Sequence, residues 1–193
     1  MNKYFSFIIL VFGLTLISCN KENHNVEMIT YQQELLSIET LNQIGLKVHE
    51  LQKKEFKKNS DYEEEMKEIL LPLVECGNKL IDDIRKEYEL DNSLLTLEEI
   101  NSINLMTDEQ IASFAFVLSA SQISNISNTK VDYVACIGAA LGLDVIHGLL
   151  TNTAQLATVQ GATRLLKVLA KRYIGWIGVG VAVYSFLDCI DVI

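Results

Sequence analysis

Apolar residues recur every three or four positions through residues 26–56, where Met28, Tyr31, Leu35, Ile38, Leu41, Ile44, Val48 and Leu51 lie on one stripe. That period is helical, and it predicts a long amphipathic helix. Lys53, Lys54, Lys57 and Lys58 put positive charge toward its end, where cations complement the helix dipole. Ser60 followed by Glu63 has the form of a capping box. It predicts a second helix whose apolar face is Met66, Ile69, Leu70, Leu73, Leu80, Ile81 and Ile84. The same signature recurs at Thr96 with Glu99 and at Thr107 with Gln110, predicting two shorter helices. The second of these continues through Ile111, Phe114, Ala115 and Leu118. Polar residues then crowd 119–130, which predicts a boundary between two regions.

Beyond that boundary the pattern changes. Val134, Ile137, Leu141 and Val145 form a helical stripe within 131–150, and Gly138 and Gly142 have a spacing that permits close helix approach. Residues 151–160 read as a turn leading into a new helix. In 162–173, Ala162, Leu165, Leu166, Leu169 and Tyr173 share one arc, with Arg164, Lys167 and Lys171 opposite. Residues 173–187 carry no charge and no polar face, so this helix is expected to be buried, with Gly175, Gly178 and Gly180 allowing neighbours to approach. These patterns predict an all-α fold of about six helices, in which the acidic amphipathic helices of 26–130 pack on an apolar unit, 131–193, within one globular domain.

Composition sharpens this division. The chain has 193 residues, of which 49% are hydrophobic, enough to bury a core. Its net charge of −9 is uneven: residues 20–129 hold 10 basic and 21 acidic side chains, whereas 131–193 hold four of each. Nucleic-acid affinity depends on clustered cations, so no nucleic-acid partner is expected.

The first residues have a separate logic. Lys3 and the amino terminus form a positive n-region, and residues 5–17 form an uncharged run of 13. A spanning helix needs about 20 apolar residues, so the run is expected to be processed as a signal. It closes with Leu16, Ile17, Ser18 and Cys19, which resembles the lipobox of bacterial lipoproteins. The resemblance implies cleavage between Ser18 and Cys19 and acylation of the Cys19 thiol. Residues 1–18 would be removed, 19–25 would form a lipidated tether, and the acyl chains on Cys19 would be the membrane contact. Asn20 stands where an Asp favours inner-membrane retention in those families. The implied location is the cell envelope, and the outer membrane if the cell has one.

Little chemistry is expected of the remainder. No GxSxG, GxxxxGK[ST], HExxH or CxxC motif occurs. Asp144 and His147 would share a helix face, yet a metal site needs three or four ligands, so no metal, cofactor or catalytic residue is assigned. Cys76, Cys136 and Cys189 permit three single pairings in an oxidising compartment. A folded-back helical hairpin favours Cys136 with Cys189, whereas a strict up-down-up path would separate them. The expected role is non-enzymatic binding or scaffolding, with an envelope protein partner. The apolar, cysteine-bracketed tail behind an acidic region also resembles precursors of membrane-active antimicrobial peptides. That resemblance implies a peptide from 131–193 masked by the acidic helices.

Overall fold

Ser37 decides where the first helix begins. Its backbone is extended and its hydroxyl accepts a hydrogen bond from the Thr40 amide, 3.3 Å away, satisfying an amide that has no helical acceptor. A computed structural model describes residues 35–54, 59–90, 95–126, 132–142, 156 and 158–193. Within it α1 is Ile38–Gln52, shorter than the helix predicted for 26–56. Residues 35–37 are not helical, and 1–34 and 55–58 lie outside the described residues. Periodicity alone could not see the cap that interrupts the stripe. Within α1 the stripe holds, because Leu41, Ile44, Val48 and Leu51 are buried, whereas Met28 and Tyr31 lie outside the described residues.

The second helix, α2, is Asn59–Leu90 and runs through Pro72. Ser60 does not cap it. The helix already includes Asn59, and the Ser60 hydroxyl donates to the Asp61 carboxylate. At Thr96 the box is complete: its hydroxyl accepts from the Glu99 amide and its amide donates to the Glu99 carboxylate, opening α3, Leu97–Asn104. Then α4, Asp108–Ile126, follows Thr107, whose amide donates to Gln110 Oε1 at 2.9 Å.

The predicted boundary at 119–130 is overturned over its first part. Residues up to Ile126 continue α4, and Ser119 and Ser121 are buried. Their hydroxyls are satisfied: Ser121 donates to the Leu118 carbonyl, and Ser119 accepts from the Leu36 amide. Satisfied hydroxyls bury at small cost, so serine richness did not mark a linker here. Residues 127–130 lie outside the described residues.

Asp132 accepts from the Ala135 amide and opens α5, Tyr133–Leu141. This helix stops well short of residue 150, because Gly142 is left-handed, φ 62°, a conformation glycine adopts without a Cβ penalty. Gly142 is therefore a terminator, and among the described residues nothing lies close to it; 143–150 lie outside them. Next, α6 is Val159–Leu169, capped by Thr158, and α7 is Trp176–Cys189. Among the described residues the fold is all-α, with seven helices and no strands.

The core lies between the two parts of the sequence. Every residue of α4 from 110 to 121 is buried, and α4 meets α2, α5, α6 and α7. Gly77 of α2 lies against α4 so closely that a Cβ there would stand 2.6 Å from the Ile111 carbonyl oxygen. In turn, α7 packs on α1, α2, α4 and α5. Gly45 receives Leu187, Gly180 receives Met66, and Phe116 meets Phe186 edge-on at 5.6 Å between ring centroids. A disulfide joins Cys136 to Cys189, with Cα atoms 5.8 Å apart, fastening the end of α7 to α5. Of the three glycines expected to admit neighbours to α7, Gly180 alone does so among the described residues; Gly175 precedes the helix and Gly178 is exposed.

Candidate functional site

Gln110 organises the corner where the chain leaves α6. It is only 8% exposed, in the first turn of α4. Its Oε1 accepts from the Thr107 amide, and its Nε2 donates to the carbonyls of Leu169, Ala170 and Arg172 at 3.1, 3.1 and 2.7 Å. One amide therefore serves an orphan donor at the start of α4 and carbonyls freed where α6 ends. The 105–107 turn and the 170–175 corner are thereby braced side by side.

A second clasp lies beyond it. Lys167 of α6 pairs with Glu99 of α3 at 2.6 Å. The Lys167 ammonium, followed by the Thr96 backbone amide, pulls the Glu99 carboxyl down from 4.5 to about 2. Arg85 of α2 donates to the Asn104 side chain at 2.8 Å, holding the other end of α3.

On this braced corner two large apolar side chains stand out in water: Tyr173 is 98% exposed and Leu105 is 80% exposed. Tyr173 was expected on the buried arc of a helix reaching residue 173. Instead α6 ends at Leu169, so Ala162, Leu165, Leu166 and Leu169 turn inward while Tyr173 leaves the arc. Lys171 and Arg172 precede Tyr173, half-buried Trp176 follows it, and Ile177 and Val181 are each 38% exposed along the outer side of α7. No acidic residue occurs from 145 to 187. The corner thus combines cations, aromatic rings and aliphatic groups in a chain that is acidic elsewhere.

A cleft of about 310 Å³ between α1 and α2 is lined by Lys47, Glu50, Lys54, Glu65, Glu68 and Ile69. Lys54 and Glu65 pair directly across it. With opposite charges facing each other there, the cleft presents no field of one sign for a charged ligand.

Ser18 and Cys19, assigned from sequence, lie outside the described residues, as do Asp144 and His147, to which no role is assigned. Cys136 and Cys189 are brought together, while Cys76 is buried and takes no part in that disulfide. His49 stacks flat on Tyr184, ring centroids 4.9 Å apart. Among the described residues there is no group of three or more His, Cys, Asp or Glu side chains able to hold a metal ion, and no helix long and apolar enough to cross a membrane. The bracing role of Gln110 is not visible in the sequence, although its place in the third box position is. No protein-family model, curated protein or solved structure matches this chain.

Proposed function

We propose that this chain is a cell-envelope lipoprotein, anchored through acyl chains on Cys19, whose helical domain binds or scaffolds at the membrane without enzymatic chemistry. The observation that carries the reading is the register of Lys3, the uncharged run 5–17 and the Leu16-Ile17-Ser18-Cys19 box. A run of that length suits recognition and removal better than spanning, and the thiol after small Ser18 is the acyl acceptor. Several acyl chains give stable anchoring where one is marginal. The disulfide between Cys136 and Cys189 fits an oxidising compartment outside the cytosol.

Replacing the thiol tests this directly. Cys19→Ala should abolish incorporation of labelled fatty acid and leave residues 1–18 attached, both read by mass spectrometry of the N-terminal peptide. Normal removal of 1–18 in that variant overturns the anchor.

A further inference from the structure

We propose that the corner between α6 and α7, with the 105–107 turn braced beside it, is a docking tip that seats on an anionic lipid bilayer. The proposal rests on the lipoprotein reading for what brings the tip to a membrane, and on separate observations for the tip itself.

Tyr173, Leu105 and Leu97 are the most exposed large apolar side chains among the described residues, and the first two occur on adjacent turns that Gln110 joins. Loops usually place polar groups outward. Here the Gln110 amide fixes both turns in place, so the protruding groups are presented by a rigid support. Lys171 and Arg172 immediately precede Tyr173 in a stretch without acidic residues, and Trp176, Ile177 and Val181 extend the apolar surface along α7. Tyrosine and tryptophan with their polar edges, cations reaching headgroups and aliphatic groups entering the acyl boundary are what a bilayer interface accepts. Exposed Asp108 and partly exposed Glu109 stand just behind the 105–107 turn. They oppose an anionic surface and so confine the seat to the tip.

The anchor is compatible with this seat. The Leu36 amide is held by Ser119, nine residues along α4 from Gln110, about 14 Å at the helical rise. Residues 20–34 number fifteen and span at most about 50 Å. Acyl chains on Cys19 and the tip can therefore engage one bilayer.

Trp176 is the only tryptophan in the chain and lies three residues from Tyr173, so it reports on the tip. Lipidated protein is reconstituted into phosphatidylcholine vesicles with and without phosphatidylglycerol, using brominated acyl chains. Expected is loss of Trp176 emission in the anionic vesicles, relieved by Tyr173→Ser and independently by Leu105→Ser. The ratio of docked to undocked protein should fall about fivefold for each cation removed in Lys171→Gln and Arg172→Gln. Trp176 emission unaffected by brominated lipid while the protein floats with the vesicles overturns the tip. Equal quenching in all variants overturns it too, as does a tip that crosslinks to a protein partner and stays unquenched. Acylation of Cys19 is read separately from the mass of its peptide. Its absence removes the anchor alone, and quenching after the same protein is added to preformed vesicles then decides the tip.

Discussion

Two helices of this chain are without charge over twelve consecutive residues, 110–121 in α4 and 176–187 in α7, yet their surroundings differ. All twelve positions of α4 are buried. In α7, Val179, Gly180, Ala182, Val183, Phe186 and Leu187 are buried, while Ile177, Gly178 and Val181 face outward. Absence of charge says that a helix gains by being enclosed. Whether it is enclosed depends on how many neighbours surround it. Buried hydroxyls on α4 are satisfied, Ser113 by the Glu109 carbonyl at 2.8 Å, Ser121 by that of Leu118 and Ser119 by the Leu36 amide, and this lets a moderately polar sequence occupy the centre. The more apolar α7 is left with an outer side for something else to meet.

Truncating a large side chain in each helix gives the widest expected separation. Phe114→Ala in α4, where the ring is fully buried, should cost about 3–5 kcal/mol in denaturant unfolding. Ile177→Ala in α7, at 38% exposure, should cost under about 1 kcal/mol. Equal losses would mean that α7 is enclosed after all.

Adding a methyl group sharpens the contrast. Gly77→Ala forces a Cβ toward the Ile111 carbonyl and should destabilise by about 1–3 kcal/mol, despite the better helix propensity of alanine. Gly178→Ala meets only Ile174, at 3.4 Å, and should stabilise α7 by up to about 1 kcal/mol. Thermal melts of the two variants that shift in the same direction would remove the distinction between a tight seam and an open face.

Smallest of all should be the clasp outside α4. Glu99 has its carboxyl lowered in the fold, so it binds a proton more weakly there than when unfolded. Its contribution is present above about 4.5 and is lost as pH falls toward about 2. The pair is partly exposed, and solvent screening keeps the effect modest. Glu99→Gln should flatten the melting temperature of the protein slightly across that window. An unchanged acid limb in the variant would show that the clasp adds nothing.

Much of the helical architecture was legible because periodicity and caps are local. The α1 stripe, the Thr96 box and the buried arc of α6 follow from spacing alone. What spacing could not supply was tertiary satisfaction. Ser119 and Ser121 look like linker residues until their partners in Leu36 and Leu118 are known, and Gln110 looks like a local box residue until α6 ends beside it. The early stop of α5 at Gly142 had a visible glycine, but the same residue suited close packing equally well. Tyr173 followed the arc in sequence and left it in space because α6 ends one turn sooner. The Cys136 and Cys189 pairing depended on a fold-back that spacing left open, and the α5–α7 contact supplies it.

The link between those cysteines also governs how the chain would bear load. It joins positions 53 apart in sequence and closes a loop that contains all of α6 and nearly all of α7. Tension applied between the amino-terminal side and residues 190–193 would cross from α5 to the end of α7 through the sulfur bridge. The braced corner would lie off that line of force. About 180 Å of contour would stay hidden from extension until the bridge is reduced. Pulled at both ends, the oxidised chain should therefore release its remaining helices while the looped segment carries no external tension.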